Sequence, residues 1–173
     1  LIRTELVELN PKSEIKKTKK MKIVLAIDGS DFSEVAINEL KKMTLSSNSE
    51  IHIINVYELP KTTGLGLHTM GGKIGNYIEE IKSNAQKLGN KIVSEASDKI
   101  KAENKALTIT TSVVSGLPKS TINEKAENWG ADLIVVGSQG HGALSRLVLG
   151  SVSQYLTTNA KCSVLIARDR NKK

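Results

Sequence analysis

From Met21 onward, short apolar runs alternate with longer stretches in which apolar residues recur every three or four positions. The runs are Ile23–Ile27, Ile51–Val56, Leu107–Ser115, Leu133–Val136 and Ser163–Ala167. The first, fourth and fifth are continuously apolar and rich in β-branched residues, which predicts strands covered on both faces. Helical spacing fills the gaps. Ala36, Ile37, Leu40 and Met43 predict a first helix, and Ile78, Ile81, Ala85, Leu88, Ile92, Ala96 and Ile100 predict one apolar stripe on a long second helix. Ile122, Ala126 and Trp129 predict a third that stops at Gly130, and Val152, Tyr155 and Leu156 a short fourth. Five strands alternating with four helices call for an α/β fold: one doubly wound parallel five-stranded sheet with helices on both faces and right-handed crossovers. Residues 60–77 interrupt the pattern. Gly64, Gly66, Gly71, Gly72 and Gly75 predict a mobile loop there, either a lid over a ligand or a tolerated insertion.

Ligands of open parallel sheets sit beyond the carboxyl ends of the strands, where the strand order reverses. Two strand ends carry polar, turn-forming residues: Asp28-Gly29-Ser30-Asp31 after the first and Gly137-Ser138-Gln139-Gly140-His141-Gly142 after the fourth. Neighbouring strands at the switch point would turn both clusters toward one crevice. Gly150-Ser151 then opens the last helix, whose N-terminal amides and partial positive charge suit a phosphate chain. Ser151 is expected either to cap that helix or to direct its hydroxyl at a phosphate oxygen. The other reading is a glycine-rich turn that only packs the helix on the sheet. Two rival phosphate motifs fail. No glycine precedes Lys119-Ser120, and Gly72-Lys73 is followed by Ile74, so there is no Walker A loop. Gly140-His141-Gly142 is followed by Ser145 where a dinucleotide fingerprint needs its third glycine.

Composition narrows the class. The chain has 173 residues, 39% apolar and 25% charged, which is one ordinary globular domain. One tryptophan, three tyrosines and one phenylalanine leave the core to aliphatic side chains. The single cysteine, Cys162, excludes an internal disulfide or a multi-cysteine zinc site and is expected to be an inert packing residue. His52 and His68 show no metal-ligand spacing. The net charge of +7 is mostly terminal: six basic residues against three acidic in 1–20, and four against one in 168–173. A basic face is therefore not predicted, and nucleic acid is an unlikely partner. No apolar run reaches the ~18 residues of a membrane span, so the cytoplasm is the expected location. Met21 is the expected natural start. That gives a basic extension over 1–20, a ligand-binding domain over 21–168 and a basic tail over 169–173.

The spacing Gly137-x2-Gly140-x9-Gly150-Ser151 resembles the G-x2-G-x9-G-[ST] signature of the ATP-binding branch of the universal stress protein family. Met21–Ser30 resembles that family's opening strand and acidic loop, Gly130–Gly137 its fourth strand, and Gly150–Ser153 with Ser163–Arg168 its close. The departure is Lys161-Cys162-Ser163, where members often carry Pro-Cys-Pro. The resemblance implies a Rossmann-like strand order 3-2-1-4-5 and binding of ATP, with Mg2+ or Mn2+ carried on the phosphates. It implies that Asp28 contacts the adenosine near ribose or adenine, that Ala26 and Val56 line the adenine pocket, and that Gly137, Gly140 and Gly142 let the loop wrap the nucleotide. Gly150, Ser151 and Val152 would hold phosphates. By their place in the loop, Ser138, His141 and Arg146 are further candidate contacts, Arg146 toward the γ-phosphate; the other reading is a polar loop side chain for His141 and a surface position for Arg146. A homodimer through edge strand 163–167 is also implied. The function so implied is an ATP-dependent switch or sensor in stress response. The alternatives are a slow Mg2+-dependent ATPase or phosphotransferase and a nucleotide-free dimeric scaffold. Asp28 has no paired acid or base in view, so no fast catalysis is expected.

Overall fold

The computed structural model describes residues 20–60, 73–140 and 149–168. The elements run β1 (Lys22–Ala26), α1 (Asp31–Lys41), β2 (Glu50–Tyr57), α2 (Lys73–Glu103), β3 (Thr108–Ser115), α3 (Pro118–Trp129), β4 (Leu133–Gly137), α4 (Ser151–Asn159) and β5 (Ser163–Ala167). All neighbouring strands are parallel, in the order β3-β2-β1-β4-β5. This is the predicted doubly wound α/β sheet. The order reverses between β1 and β4, where Ile23 stands beside Leu133 and Ala26 beside Val136.

Alternation along β1 splits the core into two layers. Ile23, Leu25 and Ile27 pack with Ala36, Ile37 and Leu40 of α1 and Val93, Ala96 and Ile100 of α2. Val24 and Ala26 pack with Ile54, Ile134 and Val136, under Ile122 and Ala126 of α3 and Leu156 of α4. Because both faces of β1 and β4 are covered, both read as unbroken apolar runs. Helix ends follow local chemistry. Ser30 caps α1 by accepting from the Ser33 N–H, Pro118 opens α3, and Gly130 closes α3 in the left-handed region at φ 69°.

Two expectations are corrected and a third is refined. Helix α2 begins at Lys73, so residues 73–77 are helical and not loop; once a long amphipathic helix exists, adding turns costs little, and exposed Gly75 is tolerated. Residues 61–72 lie outside the described residues. Leu88 is not on the core stripe but is 60% exposed, because the buried face of α2 turns through Gly89 and Val93 instead. Strand β5 is covered on both faces but less completely than β4: Leu165 packs on the α1–α2 layer and Val164 and Ile166 on the α3–α4 layer, all three half-buried, as befits an edge strand.

Candidate functional site

The crevice lies where β1 and β4 end side by side. The chain leaving β1 stays clamped to β2: the Ile27 N–H donates to the Ile54 carbonyl at 3.0 Å, and buried Asn55 Nδ2 donates to the Ile27 carbonyl at 2.9 Å. Asp28 then turns the chain into α1. Its Oδ1 accepts from the Ser30 N–H at 3.0 Å and the Ser33 hydroxyl at 2.7 Å, while its own N–H donates to Ser33 Oγ at 2.9 Å. This Asx turn fixes the carboxylate. Gly29, at φ +84°, passes so close to α2 that a Cβ there would lie 2.8 Å from Ile92 Cδ1.

The loop after β4 is drawn tight at its neck. Ser138 is buried; its N–H donates to the Ala167 carbonyl at 2.8 Å. Its carbonyl accepts from the Gly150 N–H at 2.8 Å and from the buried Ser153 hydroxyl at 2.9 Å. A Cβ on Gly150 would press on Gln139 Cα at 3.1 Å. Gly137 lies so close to α1 that a Cβ would sit 2.7 Å from the Phe32 carbonyl oxygen. Across the crevice, a Cβ on Gly140 would sit 2.5 Å from Asp28 Oδ2. The two polar clusters therefore meet, glycine backbone against carboxylate.

Helix α4 opens beside this meeting point. The N-cap is Gly150, not Ser151, because the Gly150 carbonyl accepts the Gln154 N–H at 2.9 Å. Ser151 is the first helical residue, exposed, and no side chain caps the helix. The N–H groups of Ser151, Val152 and Ser153 precede the first intrahelical bond and have no carbonyl partner within the helix. No acidic residue occupies the first turn, so the helix end keeps its partial positive charge.

Ala26, Val56 and Val152 belong to one apolar layer, on the α3–α4 face of the sheet, with Ala26 buried and the two valines half-buried. His141, Gly142 and Arg146 lie outside the described residues. Among the described residues no group of three histidine, cysteine or acidic side chains is arranged to hold a metal, and no helix is long and apolar enough to cross a membrane. Burial pushes the Cys162 thiol pKa up, opposed by a backbone hydrogen bond and aided by Asp132, which disfavours the thiolate. A cavity of about 30 Å³, lined by Leu40, Met43, Leu45, Ile51, Ile100 and Leu107 together with Lys41, Glu103 and Asn104, is a separate feature.

Sequence reasoning missed Ser33, Asn55 and Ser153, which hold the site without lining a motif. Asp28-x-Ser30-x2-Ser33 carried a local signal, since it spaces an Asx turn and a helix cap. Asn55 carried none, because its partner is 28 residues away, and the local bond of the Ser153 hydroxyl to the Gly150 carbonyl gave no hint of its second bond to Ser138, 15 residues back.

Residues 20–168 match the model of the universal stress protein family. The chain is 33% identical to universal stress protein YxiE of Bacillus subtilis over 147 residues, covering 85% of this chain and 98% of that one. It is 32% identical to universal stress protein MJ0531 of Methanocaldococcus jannaschii, covering 87% and 84%. Its fold superposes on the solved structure of MJ0577 with a TM-score of 0.73 at 22% identity, covering 88% and 98%. A universal stress protein solved in complex with cAMP gives a TM-score of 0.57 at 28% identity, covering 86% and 97%. With its sheet order, crevice and match over nearly the whole described length, the chain belongs to the universal stress protein family.

Proposed function

We propose that the protein binds ATP in the crevice between β1 and β4 and works as a nucleotide-dependent switch in the cytoplasmic stress response. The observation that carries this reading is the contact of Gly140 with Asp28 Oδ2, beside the uncapped start of α4. It brings a fixed hydrogen-bond acceptor and a set of backbone donors into one cleft. Asp28 receives the ribose hydroxyls or an adenine donor, Ala26 and Val56 flank the base, and the amides from Ser151 to Ser153 receive phosphate oxygens. Ser138 and Gly150 hold the neck of the phosphate loop; His141, Gly142 and Arg146, outside the described residues, are its further candidate contacts. Any Mg2+ or Mn2+ arrives on the phosphates. The cAMP complex of a 28% identical protein supports an adenine nucleotide as ligand class. Homodimerisation runs through β5, whose half-buried Val164, Leu165 and Ile166 stand at a sheet edge.

Calorimetric titration with ATP, ADP, AMP and cAMP tests the assignment. ATP is expected to bind most tightly. Absence of heat up to millimolar nucleotide, with the protein folded by circular dichroism, would overturn it.

A further inference from the structure

Helix α2 is longer than the sheet it covers. Its 31 residues span about 46 Å, while the eight residues of β2 span about 26 Å. Gly89 packs on Asn55 and Val113 near the carboxyl ends of β2 and β3, and everything C-terminal to it covers the sheet. The turns before about Ala85 therefore run past the strand ends.

The outer face of the N-terminal half of α2, from the overhang to Leu88, carries a row of its own, apolar at three of its four positions. Tyr77, Ile81, Asn84 and Leu88 follow the four-three-four spacing of a coiled-coil seam. On a helical wheel the row sits roughly 120° from the core-facing row of Gly89, Val93, Ala96 and Ile100. Tyr77 and Leu88 are 63% and 60% exposed, more than any other large apolar side chain described. Nothing among the described residues covers them.

The row is self-complementary. Two copies of α2 aligned antiparallel, with a two-fold axis between Lys82 and Ser83, set Tyr77 against Leu88 and Ile81 against Asn84, each twice. The same alignment brings Glu80, on the flank of the seam, toward Lys87 of the second copy, again twice. Within one chain neither residue has an ion-pair partner among the described residues, whereas Glu79–Lys82 and Lys91–Glu95 pair locally. A parallel alignment stacks Tyr77 on itself and turns Glu80 and Lys87 toward Ala85 and Ile92, leaving both charges unpaired.

We infer that the outer face of α2 from Tyr77 to Leu88 is an interface between two copies of this chain, packed as an antiparallel helix pair with mutual Glu80–Lys87 ion pairs. The inference rests neither on the nucleotide crevice nor on β5. A seam of four residues per copy buries less than the roughly 1,200 Å² of a stable complex, so the contact is weak by itself and adds to other association.

Cysteine cross-linking in the full chain reads the register directly. In a Cys162→Ser background, Tyr77→Cys and Leu88→Cys variants are oxidised singly and as an equimolar mixture. The antiparallel pair opposes unlike positions, while like positions lie about 16 Å apart, beyond disulfide reach. The mixture is expected to give a covalent dimer at least tenfold faster than either variant alone. Adding Glu80→Lys or Lys87→Glu to both partners should slow it, and adding both together should restore it. Equal rates for single variants and mixture, no cross-link in folded protein, or no restoration by the double charge exchange would each overturn the inference.

Discussion

Gly137 and Gly140 stand three residues apart, yet alanine at each is expected to damage different properties. At Gly137 the added methyl carbon would lie 2.7 Å from the Phe32 carbonyl oxygen and 2.8 Å from its carbon and Cβ. The wall there is mainly helix backbone, so relief requires α1 to move off β4. Helix α1 contributes Ala36, Ile37 and Leu40 to the core, and they would move with it. Overpacking of this kind costs about 2–3 kcal/mol, which lowers the melting temperature by about 4–12 °C in a chain of this size. At Gly140 the methyl carbon would meet Asp28 Oδ2 at 2.5 Å. That atom is the tip of a side chain, and a small rotation clears it. The rotation drags Oδ1 away from Ser33 and Ser30, loosening bonds now at 2.7 and 3.0 Å. Gly140→Ala should therefore melt within about 3 °C of the parent but bind ATP at least about tenfold more weakly, a loss of about 1.4 kcal/mol. Differential scanning calorimetry and ATP titration of both variants separate the two effects. Unaltered ATP affinity in Gly140→Ala, or unaltered melting in Gly137→Ala, would refute the reasoning for that position.

Three further substitutions probe single causes. Gly130→Ala forces an alanine to φ 69° where its methyl touches nothing, so the cost is purely conformational, about 1 kcal/mol, read from denaturant melts. Ser33→Ala removes two hydrogen bonds to Asp28 and should cost about 1–3 kcal/mol; a stability equal to the parent in urea would show that water replaces the hydroxyl. His52 is held below its usual pKa of 6.5 by burial first and by nearby Lys125 second. The unfolded chain therefore takes up that proton before the folded one. Stability contributed by neutral His52 is whole above about pH 6.5 and declines as pH falls below it. His52→Gln should flatten that part of the urea-stability profile, and an unchanged slope would assign it to other groups.

Periodicity made most of the sheet legible, because β1 and β4 are covered on both faces and the period of the helices is local. What stayed hidden depends on lateral position. The run Ser163–Ala167 reads like β4, but its edge location follows only from the strand order. Leu88 continues the spacing of Ile81 and Ala85, yet the sheet narrows against Gly89, so the helix turns a different face inward. The start of α2 was hidden by Gly75, a poor helix former that the long helix tolerates at its exposed beginning. At the crevice, the glycines were legible because backbone approach needs them, while Asn55 reaches the Ile27 carbonyl across 28 residues and left no local trace.

The crevice is polar in a directional sense. One rim is a carboxylate whose Oδ1 is occupied by Ser30 and Ser33, and the other is a helix start with no acidic residue in its first turn. Phosphate oxygens are repelled by the first and attracted by the second, while hydroxyl and amino donors prefer the first. A simple anion gains from α4 but is penalised by Asp28 close by. A ligand with an anionic chain at one end and hydrogen-bond donors at the other gains from both rims and is oriented by them. Since main-chain amides supply one rim and glycines permit the approach, selectivity rests on how firmly one side chain is held. In the proposed binding mode Ser33, which bonds Asp28 through both its hydroxyl contacts, is therefore a positioning residue alongside it.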